Sequence, residues 1–311
     1  MTASDERVSA PPDPALVAWA LQALAPSPGD RGVSYVGLRE GGSPWLIELD
    51  GAPAAVLKVV PAGAGEALAT ELAALELAGA HGLPVPRVLA ADVDGAGAAG
   101  CLAVVTTVLP GTSRLSSGPP SAERFRRLGE LAAAVHRVPA PSASAELPVR
   151  EHPIPGVDFV ALRRAEECRP LLVAAEESLA DAPLPERAPV FVHGDLWQGN
   201  TLWDGDALIG VVDWDCAGVG AAGIDLGSLR CDAWMSAGRE AAAAVLAGYE
   251  EAAGRPADDL AYWDVVAALS TPPTIDWFVT AIRDQGRDDL DQPTLLARRD
   301  TFLRDALHRL G

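Results

Sequence analysis

The sequence predicts an α+β protein of two lobes, a small β-rich one over residues 1–108 and a larger, mainly helical one over residues 109–311. Three observations carry this. Five β-type runs and two helical stretches crowd into the first lobe; the break at Leu109-Pro110-Gly111 ends that pattern; beyond it helical periodicity dominates. A length of 311 residues suits two domains, and 49 % hydrophobic with 22 % charged residues is an ordinary globular balance.

The elements follow in order. After a lead-in through "APPDP", the stretch "PALVAWALQALA" repeats apolar residues at helical spacing, with Leu16, Trp19, Ala20 and Ala23 on one side. "VSYVGLRE", "PWLIELD" and "AAVLKVV" are strands, separated by the turn signals "EGGSP" and "DGAP". "GEALATELAALELAGAHG" is a helix with a glycine stop, and "PRVLAADV" and "CLAVVTTV" return to strand character. Past the turn-rich "TSRLSSGPPS", "AERFRRLGELAAAVHRV" and "DFVALRRAEECRPLLVAAEESLA" are each expected as one amphipathic helix. "PVFVHGD", "TLW" and "LIGVVDWD" supply short strands, and four or five further helices follow from Asp225.

Composition excludes several classes. A formal charge of −19 gives no basic face for nucleic acid or an anionic membrane, and is compatible with a cationic ligand. No window reaches the ~18 unbroken apolar residues of a membrane span. The N-terminus carries acids and prolines where a signal peptide has a basic start, so a cytoplasmic location is expected. Cys101, Cys168, Cys216 and Cys231 show no C-x-x-C spacing, and free thiols are expected. A monomer or weak dimer is expected.

The most specific signal is "VFVHGDLWQGNTLWDGDALIGVVDWD". One strand delivers His193-Gly194-Asp195, a loop reaches Asn200, and a second apolar run delivers Asp213. This H-x-D-x-x-x-x-N spacing, followed by an Asp at a strand end, is what phosphoryl transfer from a nucleotide requires. Asp195 would accept the proton of an attacking hydroxyl, Asn200 would offer a neutral carbonyl oxygen to Mg²⁺, and Asp213 an anionic one. Lys58 is the chain's single lysine beside 23 arginines, and Asn200 is its single asparagine. Codon bias explains why both types are scarce; it does not explain where the two survivors stand.

These motifs resemble the aminoglycoside phosphotransferase/choline kinase family of small-molecule kinases, over roughly residues 33–231. "HGDLWQGN" and "IGVVDWD" carry the resemblance, supported by "GLPVPRVL", "VLPG", "LGELAAAVH" and "GIDLGSLR". It implies a bilobal protein-kinase-like fold, with ATP or GTP and Mg²⁺ as cofactors. Asp195 would be the catalytic base, Asn200 and Asp213 the metal ligands, and Lys58 the strand lysine on the nucleotide phosphates. Glu71 would be its ion-pair partner. Backbone groups from Thr107 to Leu109 would meet the base edge of the nucleotide, and Gly41, Gly42 and Ser43 would cover its phosphates. The Gly pair is shorter than a full G-x-G-x-x-G, so a plain hairpin turn competes with that role. No activation segment follows Asp213, which argues against a protein kinase.

His193 and Asp225 are expected to brace the loop, His136 to be a packing or helix-end residue, and Trp197, Trp203 and Trp214 to pack around the loop. In the family the C-terminal helices wall the acceptor site, which makes Asp232 and Asp276 the candidates for binding a cationic acceptor. That acceptor would be an aminoglycoside or a basic cyclic peptide of the viomycin/capreomycin type, and its phosphorylation would confer resistance. The rival is a metabolite kinase of fructosamine, choline, homoserine or methylthioribose type. A choline-type site would need an aromatic cage, for which Trp234, Trp263 and Trp277 are available. A binding module that has lost catalysis is disfavoured by the presence together of Lys58, Asp195, Asn200 and Asp213.

Overall fold

The computed structural model describes residues 12–24, 32–39, 42–114, 121–165 and 169–311. The chain divides into two compact units, Met1–Leu109 and Pro110–Gly311.

In the first unit, α1 (Pro14–Gln22) is followed by β1 (Val33–Arg39), β2 (Gly42–Leu49), β3 (Ala52–Val60), α2 (Gly65–Ala80), β4 (Val88–Asp92) and β5 (Leu102–Thr106). The five strands form one antiparallel sheet in the order β1-β2-β3-β5-β4. Alternation sorts its two faces. Ala55 and Leu57 of β3, with Ala103 and Val105 of β5, turn toward Leu16 and Ala20 of α1. Val60 and Val104 turn the other way and pack with Leu68 of α2. Lys58, between Leu57 and Val59 and paired with Val104, is thereby aimed at the α2 side.

The second unit contains α3 (Ala122–His136), β6 (Val149–Arg150), α4 (Phe159–Ala165), α5 (Pro170–Asp181), β7 (Val190–Val192), β8 (Thr201–Asp204), β9 (Ala207–Val211) and β10 (Gly218–Gly220). Five helices complete it: α6 (Gly223–Ala237), α7 (Arg239–Ala253), α8 (Leu260–Leu269), α9 (Asp276–Asp284) and α10 (Gln292–Leu310). Its main core joins α5, α6, α8 and α10 through Leu172, Met235, Val265, Leu269, Phe302 and Leu303. Among the described residues no helix is long and apolar enough to cross a membrane.

Two expectations need correction here. The stretch from Asp158 to Ala180 is two helices, α4 and α5, because Pro170 stands in the first turn of α5. A proline there lacks only an N–H that would be unbonded anyway, whereas inside a continuous helix it would break a backbone bond. The sheet β6-β10-β7 was not foreseen beyond β7. Strands of two or three residues give no alternation to detect, and β10 forms because Gly218 lets the backbones meet. A Cβ there would lie 2.3 Å from the Pro148 carbonyl oxygen.

Candidate active site

The second unit carries a loop held from several directions. β7 ends at Val192, and the next three residues are His193, Gly194 and Asp195. Asp225, fully buried in the first turn of α6, accepts the His193 N–H at 2.9 Å and the Gly194 N–H at 2.8 Å. Its carboxylate also meets His136 Nε2 at 3.1 Å, and His136 Nδ1 lies 3.1 Å from the Tyr249 hydroxyl. Burial works against ionising Asp225. The His136 contact and the donated backbone N–H outweigh it and hold the carboxyl below the ordinary aspartate range.

Gly194 adopts φ +81°, and a Cβ there would sit 2.1 Å from the Cys216 carbonyl oxygen, so the turn into Asp195 needs glycine on both counts. Burial lowers the His193 pKa, so the ring is neutral. Its Nε2 donates to the Val212 carbonyl at 3.1 Å and its Nδ1 accepts the Asp195 N–H at 3.3 Å. His193 thus ties the loop to the end of β9, and its ring leans on Trp214 at 4.4 Å between centroids.

A single 3₁₀ turn, Gln198–Asn200, follows the loop. Asn200 Nδ2 donates to the Asp195 backbone carbonyl at 2.9 Å and to Asp195 Oδ2 at 3.0 Å. The Asn200 carbonyl accepts the Val212 N–H at 3.0 Å, which brings the segment before Asp213 alongside. Asp213 itself lies just past β9 in the left-handed region, φ +69°. A non-glycine residue there stores backbone strain of about 1–3 kcal/mol, which the surrounding bonds must hold. Asp195, Asn200 and Asp213 are therefore brought together through one network of backbone and side-chain bonds.

In the first unit Lys58 Nζ and Glu71 Oε2 form an ion pair of 2.9 Å between β3 and α2. Glu71 is buried, and it shares the inward face of α2 with Leu68 and Leu75. The other first-unit candidates have different surroundings. The Ser43 hydroxyl donates to the Val59 carbonyl and accepts the Val59 N–H, so it staples β2 to β3. Gly42 opens β2, and Gly41 lies outside the described residues. Thr107 donates its N–H to the Arg87 carbonyl and accepts the Arg87 N–H on its hydroxyl, so that N–H is committed within the unit. Leu109 is the unit's last residue.

Asp195 also lines a cavity of about 170 Å³ in the second unit. Its walls include Ile154, Leu196, Met235, Trp277 and Phe278, and Asp232 projects into it from α6. Asp232 is 5 % exposed, accepts the Gln198 N–H, and is pushed up to about 7 by burial. Asp276 does not line the cavity: it stands exposed at the start of α9 and accepts from the Thr274 hydroxyl. The three tryptophans available for a cage are also separated. Trp234 packs on Phe302 in the core, and Trp263 lies under Gly223 and against Tyr262. Only Trp277 of these three reaches the cavity. The apolar walls themselves escaped sequence reading, since Ile154, Met235 and Phe278 carry no motif.

A β-sheet unit followed by a helical unit, with this loop in the second, defines the α+β architecture of the protein-kinase-like phosphotransferases. Residues 34–269 match the family model described as the phosphotransferase enzyme family, APH, and the chain belongs to that family of enzymes. Solved structures share the fold. One is a presumptive aminoglycoside phosphotransferase from Ralstonia eutropha JMP134, at 19 % identity and TM-score 0.62, covering 95 % of this chain and 97 % of that one. APH(2")-IIia in complex with GDP and kanamycin is 19 % identical, TM-score 0.57, covering 89 % and 93 %. Amicoumacin kinase hAmiN, with AMP-PNP, Ca²⁺ and its drug, is 16 % identical, TM-score 0.56, covering 90 % and 92 %. No curated protein matches the sequence.

Proposed function

We propose that this enzyme transfers the γ-phosphoryl group of a nucleotide, ATP or GTP, to a hydroxyl of a small cationic antibiotic and so confers resistance in the cytoplasm. One observation carries the reading: Asp195, held by the Asn200 amide, lines a cavity of about 170 Å³. An acceptor hydroxyl seated there meets a carboxylate able to take its proton. The hydroxyl oxygen attacks the γ-phosphorus as the bond to the β–γ bridging oxygen breaks, the proton passes to Asp195, and the nucleoside diphosphate leaves.

The residues fit a magnesium ion. Asn200 turns its amide nitrogen onto Asp195; its side-chain carbonyl oxygen and the Asp213 carboxylate are the atoms that would hold the ion. Such an all-oxygen pair suits Mg²⁺, which keeps its other positions for water and phosphate. When bound, the ion neutralises phosphate charge. Lys58 is read as the ammonium on the nucleotide phosphates, and Glu71 as the group that orients it. Catalysis then consists of positioning and charge complementarity, with no phospho-enzyme.

The antibiotic reading is supported by the drugs bound to the structural neighbours, kanamycin and amicoumacin. The apolar, partly aromatic cavity favours a second reading, a metabolite kinase of the choline type. Release of nucleoside diphosphate, measured with kanamycin, viomycin, capreomycin, choline and fructosamine, separates the two. Turnover with metabolites alone transfers the assignment to the second reading. Asp195→Ala is expected to lower kcat by about 10²–10⁴-fold, and undiminished turnover in that variant refutes the mechanism.

A further inference from the structure

The buried carboxylates of the second unit are each paired with a basic side chain, except one. Asp225 meets His136 at 3.1 Å. Asp264 meets Arg230 at 3.0 Å and Arg309 at 2.6 Å. Asp300 meets Arg169 at 2.6 Å and Arg299 at 3.1 Å. Asp232 has no ion pair among the described residues, and its Oδ1 is buried without a hydrogen-bond partner there. A buried carboxylate left this way is destabilising by several kcal/mol. It is also the one that faces a cavity, so the missing cation has a route in from outside.

The cavity limits what that cation belongs to. At about 170 Å³ it is the size of an engineered cavity that takes up benzene, so it holds one ring or its equivalent. Its walls are mainly apolar, and Asp195 and Asp232 are its only carboxylates. One of those faces the reacting hydroxyl, leaving a single carboxylate for charge. Further ammonium groups would be stripped of water against Leu196, Met235 and Phe278 with nothing to replace it. Asp276 stands outside and adds no second acid.

We infer that the preferred acceptor is a monobasic alcohol with an apolar, ring-sized body that fills the cavity, its one cationic nitrogen on Asp232, and that polycationic acceptors are bound less well. This rests on the phosphotransfer reading for the word acceptor, since Asp195 shares the cavity. Trp277, half-exposed at the rim, supplies an aromatic face for the same cation.

Three probes test it: phenylalaninol (one ring, one ammonium, one hydroxyl), its neutral N-acetyl derivative, and kanamycin. Titration calorimetry with and without AMP-PNP and Mg²⁺ gives their affinities. Phenylalaninol is expected to bind at least about tenfold more tightly than the N-acetyl compound and more tightly than kanamycin. Asp232→Asn is expected to bring the first two within about twofold. Trp277→Ala, at a half-exposed position that spares the core, is expected to weaken both by about five- to tenfold. Equal affinity of the charged and neutral probes in the unaltered protein overturns the inference. So do tighter kanamycin binding, no binding of phenylalaninol, or no effect of Trp277→Ala. Phosphoryl transfer to phenylalaninol is followed separately. Asp232-dependent binding without transfer refutes the phosphotransfer reading and leaves the cation site standing; transfer without charge preference does the reverse.

Discussion

Asp232→Asn should make the protein more stable, and by an amount set by pH. In the unfolded chain Asp232 ionises at its ordinary value of 3.8; in the folded protein burial raises it to about 7. The folded state therefore holds the proton more tightly, and stability falls as pH rises between those two values. The penalty is below about 1 kcal/mol at pH 4, about 2 kcal/mol at pH 5 and about 4 kcal/mol at pH 7 and above. The residue is fully buried, so solvent screening takes little from these figures. Asparagine keeps an oxygen for the Gln198 N–H and carries no charge, so the variant lacks this slope. Its new amide shifts the whole curve by a constant, which the slope ignores. Urea unfolding of both proteins at pH 5, 6, 7 and 8.5, followed by circular dichroism, gives the difference at each pH. A gain for the variant growing by about 2 kcal/mol from pH 5 to pH 7 is expected. A difference flat across that range would refute the reasoning. The same carboxylate that weakens the fold is the one available to an acceptor cation, which is the usual trade between stability and binding.

Other expectations follow from the same bonds. Lys58→Ala should lower nucleotide turnover by about 100-fold or more while circular dichroism stays unchanged, because Lys58 sits at the α2 side of an intact sheet. Asp225→Asn should cost about 3–5 kcal/mol at pH 7, since His136, the His193 N–H and the Gly194 N–H all lose part of their acceptor. The Asp225 pKa is held low, so its contribution is complete above the unfolded value and disappears as pH falls through the folded one. Urea melts below pH 4 should therefore show that variant and the parent converging.

Much of the candidate loop from His193 to Asn200 was legible in the sequence because its local bonds depend on residue type at short spacing. Asp195 and Asn200 are five apart, close enough for one turn of chain to join them, and Gly194 is demanded by a backbone crossing. Lys58 and Glu71 required only one strand and the next helix. Spacing along the chain does not show which of two uses a side chain takes. Cross-strand geometry sets the Ser43 hydroxyl on Val59, and the Thr107 N–H closes on Arg87. Asp232 and Asp276 were both candidates in the chain, the first for standing close to the Asp195–Asp213 segment and the second for standing beside Trp277.

By itself the sequence determined the α+β class and most of the longer elements, and it pointed to a set of candidate groups, since these follow from periodicity and from local spacing. Only the tertiary structure decided which acid faces a cavity. Asp232 and Asp276 differ by burial, and burial depends on α6 packing into the core while the start of α9 stays at the surface. No count along the chain registers that packing, and it decides whether a carboxylate is solvated or left waiting for a cation.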